Sequence, residues 1–317
     1  MRNFSGVIFH YFHNDLHKKC QGSLSAEGFD RMLDDIIKRF DVITPYDFVE
    51  KKRKNNLNGT EIVLTFDGGL KSQFDIAYPI LKKRGLKAFW FPYTCVFEKK
   101  PAMIELCHDF RFSCYSNVND FYDDFFSSVI NNYISLDEYH YYKKAVEEFG
   151  YYNWGNFYTF EDKMFKYFRD EVLKQELFDS VIRLMMGKKG YRVENAIEKL
   201  WVSNKDVAEL IDNENIIGVH SHNHPYKLEK LSQQEQYEEY KQARDTYEKT
   251  FGSQPLFMSH PANSFNKTTI DVLKQLGFEF GFCSSNRIDE SSMLTLERID
   301  HSSYLNEYGK NGEFNGR

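Results

Sequence analysis

The stretch from residue 61 to residue 92 limits the fold more than any other part of the chain. Its pattern predicts an apolar strand at 61–66, a helix at 71–84 that ends at Gly85, and a second strand at 87–92. A strand, a helix and a strand in this order form a βαβ unit, whose strands pair in parallel. We therefore expect an α/β protein built on parallel strands.

The same alternation occurs before this unit and resumes after residue 200. Further strands are predicted at 6–12, 215–219, 256–259, 278–283 and 294–299, and further helices at 26–40, 203–211, 232–251 and 267–276. Ser203, with Asp206 three residues later, resembles a capping box. Repeated βα units bring their loops to one end of a sheet or barrel, where active sites gather.

The middle of the chain shows no convincing strand pattern. Apolar and aromatic residues recur there at helical spacing in 120–133, 161–173 and 176–186. We interpret 101–200 as a mostly helical insertion within a single catalytic domain of 1–317, with aromatic stripes that build a core. The insertion is a candidate for a substrate cleft or for the interface of a homo-oligomer. The polar tail 306–317 is expected to be mobile.

Composition excludes several classes of protein. A hydrophobic fraction of 41% argues against disorder, and a net charge of −6 argues against a nucleic-acid-binding protein. Five cysteines without a CxxC pair favour a reducing compartment. The first residues resemble neither a signal peptide nor a membrane span. We therefore expect a cytoplasmic protein whose substrate is made there, such as an activated or carrier-linked sugar.

A histidine cluster is the strongest functional signal. Three of the ten histidines, His220, His222 and His224, follow the strand predicted at 215–219. Neutral imidazole is a common zinc ligand, so the cluster indicates a metal site. If the strand continued, all three side chains would share one face. If it ends at His220, then His220 and His224 could still bind a metal from a loop.

Three other segments carry polar groups at the ends of predicted strands. Asp67 is placed for general-base chemistry and is followed by glycines that allow close approach, although a helix cap would also explain it. The loop at Pro261, Ala262 and Asn263 could offer backbone N–H groups to an oxyanion. Arg298 and His301 close the last strand, where a surface ion pair is an equally good explanation.

Together these segments resemble the polysaccharide deacetylase family, also called the NodB-homology or carbohydrate esterase 4 group. LTFDGGLKSQF is similar to the first motif block, whose usual core is TFDDG, and IIGVHSHNHP is similar to the second, usually HSxxHP. FMSHPANSFN and LERIDH stand where the third and last blocks are expected. The resemblance covers about residues 1–100 and 200–301. It implies a distorted (β/α) barrel with fewer strands than the eight-stranded form.

The resemblance also implies an activity and a set of site residues. Members of the family remove N- or O-acetyl groups from sugars with a divalent metal, usually zinc. Asp67 matches the catalytic base, His220 and His224 match the two histidine ligands, and His301 stands near the position of the general acid. Arg298 and the loop at 261–263 would face the substrate or the oxyanion.

The sequence departs from the family pattern at one metal ligand. The second acid of TFDDG is Gly68 here, and glycine has no side chain to bind a metal. His222 or Asp67 are the preferred replacements, and His13 or His260 could also reach the site from elsewhere. In the third block the family's arginine falls near Ser259, and its aromatic residue falls at Ala262.

We therefore expect a metal-dependent deacetylase that acts on an N-acetylated sugar or glycan precursor in cell-surface polysaccharide biosynthesis. The alternative is a catalytically inactive relative that binds a glycan or a protein partner, because Gly68 removes a ligand. A third reading keeps the metal and changes the reaction to another acyl transfer or hydrolysis at a sugar. The expected partner is the acetylated sugar, with a homo-oligomer through the insertion as a further candidate, and neither nucleic acid nor a membrane span is expected.

Overall fold

The computed structural model describes residues 4–150, 159–285, 288 and 292–309. The chain separates into two compact units. The first, which we call the barrel unit, comprises Met1–Ala102, Ile197–His224 and Leu228–Arg317. The second, the helical unit, comprises Met103–Ala196 and Pro225–Lys227.

Eight strands form the sheet of the barrel unit. They are β1 Gly6–Phe9, β2 Asp41–Val42, β3 Glu61–Gly68, β4 Ala88–Pro92, β5 Ile216–Ile217, β6 Phe257–Ser259, β7 Phe280–Cys283 and β8 Leu296–Asp300. Their order is β5-β4-β3-β1-β8-β7-β6, with β2 beside β3, and each of these pairings is parallel. Val219, just beyond β5, bridges Met258 of β6 and joins the two ends of the order. The predicted distorted (β/α) barrel is confirmed.

Thirteen helices lie in the described residues. They are α1 Ala26–Arg39, α2 Pro45–Arg53, α3 Tyr78–Arg84, α4 Met103–Cys114, α5 Val118–Asn132, α6 Leu136–Phe149, α7 Phe160–Tyr167, α8 Gln175–Lys189, α9 Val193–Leu200, α10 Asn204–Asp212, α11 Gln233–Phe251, α12 Lys267–Gln275 and α13 His301–Tyr308. The capping box predicted at Ser203 and Asp206 is present at the start of α10. None of these helices combines the length and the apolar character needed to cross a bilayer.

Side-chain alternation along the strands separates two apolar layers. On β3, Ile62, Leu64 and Phe66 pack in the core beneath the helices, whereas Val63 belongs to a second cluster. That second cluster fills the barrel and consists of Phe48, Val49, Val63, Phe89, Phe91, Ile216, Phe280, Phe282 and Leu296. Because alternate residues of a strand share a face, the residues that follow Val63, Phe91 and Leu296 at intervals of two point toward the same interior. This alternation positions the candidate site.

Aromatic rings form the core of the helical unit. The rings of Phe125 and Phe165 meet edge to face with centroids 4.9 Å apart, and both side chains are buried. This burial agrees with the aromatic stripes read from the sequence, while α4 and α6 lie outside the three predicted helices. At the other end of the chain, residues 306–308 of the expected mobile tail form the end of α13, and residues 310–317 lie outside the described residues.

Substitution of Gly218 tests the packing inside the barrel. A Cβ atom at Gly218 would lie 2.5 Å from the carbonyl oxygen of Phe257 and 2.6 Å from the ring of Phe91. We expect Gly218→Ala to lower the free energy of unfolding by about 1–3 kcal/mol, because a packed interior has no room for the methyl group. Urea unfolding measures the change. Gly59→Ala is the control, since nothing lies within 4 Å of its added Cβ, and an equal loss in both variants would contradict this account.

Candidate functional site

Polar residues replace apolar ones at the carboxyl ends of the barrel strands. Asp67 lies two residues after Thr65 on β3, and Ser259 ends β6. Tyr93 and His220 follow β4 and β5, each on the alternation that faces the barrel interior. All four side chains are buried. Parallel strands therefore bring these groups, which are far apart in sequence, to one end of the barrel.

A buried ion pair holds Asp67. Arg298 of β8 donates from Nη1 to Oδ1 of Asp67 at 2.9 Å and from Nη2 to Oδ2 at 2.8 Å. Ser259 donates its hydroxyl to Oδ2 at 2.9 Å. The arrangement is bidentate, which is the strongest geometry for an arginine–carboxylate pair. Both oxygens of Asp67 are thus engaged by groups of the barrel, and the carboxylate does not serve as a helix cap.

Arg298 itself is enclosed by the barrel interior. Its guanidinium lies 5.7 Å from the ring centroid of Phe91 and 5.5 Å from that of Phe282, and it also donates to the hydroxyl of Thr65 at 2.8 Å. These contacts commit Arg298 to Asp67 and Thr65, and its expected role toward the substrate or an oxyanion stays a prediction. Its position on β8 places it beneath Asp67, where it occupies the role of a buried counter-ion.

The ion pair sets the charge of Asp67. Burial alone would raise the pKa of Asp67, but the charge and hydrogen bonds of Arg298 outweigh it and hold the pKa well below its usual range. Asp67 is therefore ionised at neutral pH. A carboxylate with so low a pKa is a weak proton acceptor.

The histidine segment is a tight turn rather than a continued strand. β5 ends at Ile217, and Ser221 and His224 adopt left-handed backbone conformations with φ of 58° and 56°. The backbone N–H of His224 donates to the hydroxyl of Ser221 at 3.1 Å. As a result the rings of His220 and His224 meet, with centroids 5.2 Å apart. The loop arrangement considered above is the one observed.

His220 is prepared to act as a neutral ligand. Burial lowers the pKa of His220 to about 4, so the ring is neutral at physiological pH. Its Nδ1 lies 3.0 Å from the carbonyl oxygen of Ser259. A carbonyl oxygen only accepts, so Nδ1 carries the proton and Nε2 keeps its lone pair. Metal-binding histidines are commonly oriented by such a bond from the other ring nitrogen.

His222 is directed to a different set of groups. Its Nδ1 is joined to the hydroxyl of Thr94 at 2.8 Å, and its Nε2 lies 3.9 Å from a carboxylate oxygen of Glu98. Glu239 of α11 accepts the backbone N–H of His222 at 2.8 Å. The left-handed Ser221 turns the chain between His220 and His222, so these two side chains do not share a face as they would on a strand. The structure therefore does not bring His222 together with His220 and His224.

The space at position 68 is taken by Tyr93. Gly68 has φ of 98°, and a Cβ built on it would lie 3.4 Å from the hydroxyl oxygen of Tyr93 and 3.6 Å from its Cε2. The Tyr93 ring also contacts His220 and His224, at centroid distances of 5.3 Å and 5.2 Å. Tyr93 lies outside the sequence motifs, although its interval of two from Phe91 is a signal that it faces the barrel interior.

The remaining candidate residues make separate contacts. His301 donates from Nε2 to the carbonyl of Gly22 at 2.8 Å, with Nδ1 3.7 Å from Asp300. His13 is bonded to Ser23 at 2.8 Å. His260 donates from Nε2 to the carbonyl of Leu294 at 2.8 Å. These contacts give each of the three imidazoles a partner in the framework of the barrel unit.

The loop expected to offer oxyanion donors is held by its own hydrogen bonds. Pro261, Ala262 and Asn263 form a short 3₁₀ turn in which the N–H of Asn263 donates to the carbonyl of His260 at 3.3 Å. The Asn263 side chain accepts the N–H of Ser284 at 2.8 Å. Asn263 therefore fixes the loop, and the role of the loop toward an oxyanion stays a prediction.

The donor set fits a divalent metal only when Tyr93 is included. Within the described ranges, no three His, Cys, Asp or Glu side chains form a group that could hold a metal. His220 and His224 supply two imidazoles, and the Tyr93 hydroxyl oxygen lies 3.4 Å from the position of a Cβ atom added at Gly68. Two nitrogens and one oxygen match the composition of catalytic zinc sites with three protein ligands.

Comparison with known proteins agrees with the motifs. A sequence model of the polysaccharide deacetylase family matches residues 159–281, which include His220 and His224. No curated protein sequence gives a significant match.

Solved structures share the fold. The chain resembles the deacetylase PplD of Streptococcus pyogenes, determined in complex with acetate, with a TM-score of 0.56 and 16% identity over 96% of this chain and 98% of that one. It resembles IcaB from Ammonifex degensii with a TM-score of 0.54 and 13% identity over 98% of each chain. It also resembles a de-N-acetylase from Aggregatibacter actinomycetemcomitans, with a TM-score of 0.51 and 15% identity over 95% of this chain and 98% of that one.

Loss of Arg298 should destabilise the protein in a pH-dependent way. In Arg298→Met, Asp67 becomes a buried carboxylate without a counter-ion, and we expect the free energy of unfolding to fall by about 3–5 kcal/mol at neutral pH. Without the guanidinium, burial raises the pKa of Asp67 above its unfolded value. The loss of unfolding free energy relative to the wild type should therefore become smaller as pH falls through that raised pKa and the carboxyl group takes up a proton.

Urea unfolding at several pH values measures this change. In the wild type the sign is opposite, because a depressed pKa gives stability that is lost only as pH falls through the folded pKa. The double variant Asp67→Asn with Arg298→Met removes both charges and should recover much of the stability lost at neutral pH. A deficit that is constant across pH, and unchanged in the double variant, would contradict the buried ion pair.

Proposed function

Since the chain is a member of the polysaccharide deacetylase family, we propose that it is a metal-dependent deacetylase of an N-acetylated sugar or glycan precursor. The observation that carries this proposal is the pairing of His220 with His224 beside the ionised Asp67 at one end of the barrel. We further propose that it acts in the cytoplasm during cell-surface polysaccharide biosynthesis. The five free cysteines agree with a reducing compartment.

The proposed site assigns distinct tasks to its residues. A divalent metal bound there would polarise the acetyl carbonyl and acidify a bound water. His220 offers Nε2 because its Nδ1–H is donated to Ser259. Arg298 and Ser259 orient Asp67, whose carboxylate would accept a proton from such a water. The low pKa of Asp67 makes this transfer less favourable than for an ordinary carboxylate.

A second candidate function is binding of an acetylated glycan without hydrolysis. The specific observation that favours it is Gly68, which removes the carboxylate ligand that the family motif supplies. The commitment of both Asp67 oxygens to Arg298 and Ser259 points in the same direction.

Acetate release and metal content distinguish the two candidates. We expect the purified full chain, loaded with zinc or cobalt, to release acetate from at least one member of a panel of nucleotide-linked and lipid-linked N-acetylated sugars. Asp67→Asn should abolish release, and its unfolding curve shows whether the variant is folded. Substoichiometric metal after growth in supplemented medium, with no acetate release from the panel, would refute the deacetylase proposal and support glycan binding.

Separate histidine variants test the assignment of ligands. We expect His220→Ala to lower zinc affinity strongly, because it removes an oriented neutral imidazole. His222→Ala is the matched control, since the His222 ring is held by Thr94 and Glu98. Isothermal titration with zinc measures both affinities. Equal losses in the two variants would show that the turn acts as a unit and that this assignment is incorrect.

A further inference from the structure

We propose that the hydroxyl of Tyr93 is the third protein ligand of the metal, in place of the carboxylate that is missing at position 68. The inference rests on the proposed function, because it requires that His220 and His224 bind a divalent metal. It assigns a ligand role to a residue that no sequence motif of the chain contains.

The first argument is the position of the hydroxyl. Gly68 follows Asp67 directly, and a side chain at position 68 would begin 3.4 Å from the Tyr93 hydroxyl oxygen. The absence of a side chain at Gly68 leaves this space to the tip of the Tyr93 ring. An oxygen donor therefore lies next to where a side chain at position 68 would project, although it comes from the segment after β4 instead of from β3.

The second argument is the arrangement of the three rings. The centroid distances are 5.3 Å from Tyr93 to His220, 5.2 Å from Tyr93 to His224, and 5.2 Å between the two histidines. The three rings thus form a nearly equilateral triangle. All three side chains are buried, so packing holds the three rings in this arrangement.

The third argument is the removal of the competing candidates. Three donors from Arg298 and Ser259 already hold the two oxygens of Asp67, an arrangement that suits an oriented base better than a ligand. His222 is bonded to Thr94. Among the described residues, Tyr93 supplies an oxygen on a ring that contacts both ligand histidines.

The chemistry of a phenol suits the position. A tyrosine oxygen that binds a divalent metal gives up its proton to solvent and becomes an anionic oxygen ligand, as other ionisable metal ligands do. The phenolate carries the same single negative charge as the carboxylate of the family motif. A site of two neutral imidazoles and one anionic oxygen has the composition of the His₂Glu sites of zinc hydrolases.

The test is metal binding by Tyr93→Phe, which keeps the ring and removes only the hydroxyl. We expect the affinity of the full chain for zinc to fall by more than about tenfold. We also expect the visible absorption spectrum of the cobalt-loaded protein to change, because that spectrum reports the ligands of the ion. Tyr240→Phe is the matched control: it removes a buried tyrosine hydroxyl in α11 that has no hydrogen-bond partner in the described part of the chain. Thermal unfolding verifies that both variants are folded.

The outcomes separate this inference from the proposed function. Loss of zinc affinity with an altered cobalt spectrum in Tyr93→Phe, and in that variant alone, supports Tyr93 as a ligand. A wild type that binds zinc together with a Tyr93→Phe variant of equal affinity and unchanged cobalt spectrum overturns the inference and leaves the proposed function standing. A folded wild type that binds neither zinc nor cobalt overturns the proposed function itself.

Discussion

The ion pair between Asp67 and Arg298 is the constraint on which the candidate site depends. A carboxylate inside a barrel is costly to bury unless a cation and hydrogen-bond donors compensate it. Arg298 provides the cation, and Phe91 and Phe282 flank its guanidinium. Gly218 in turn leaves the space that the Phe91 ring occupies. The pair thus forms the boundary between the apolar interior of the barrel and its polar end.

This boundary also restricts what Asp67 can do. Three donors from Arg298 and Ser259 hold the two oxygens of Asp67, which favours a third metal ligand from outside the first motif. The arginine is supplied by β8, whereas the corresponding family position is Ser259 on β6. Ser259 remains useful because its hydroxyl donates to Asp67 and its carbonyl orients His220.

Much of the barrel could be predicted because its signals are local. The strands at β3 and β4, the helix stop at Gly85 and the cap at Ser203 follow from short patterns. The turn at Ser221 could not be predicted, because non-glycine residues in left-handed backbone are uncommon and alternation implied a strand. The pairing of Arg298 with Asp67 could not be predicted, because the two residues lie on strands that are far apart in the sequence. The inward position of Tyr93 could have been predicted, since the interval of two from Phe91 directs it to the same interior.

Charge balance is the strongest reason to look for an anionic third ligand. The charges of Arg298 and Asp67 cancel, and burial keeps His220 neutral. A divalent ion beside these groups would bring two uncompensated positive charges into a buried space, where an isolated charge is expensive. A phenolate oxygen from Tyr93 would remove one of them and leave the other to polarise a bound carbonyl. The hydroxyl of Tyr93 can therefore compensate part of the charge of the ion, which an apolar side chain at this position could not do.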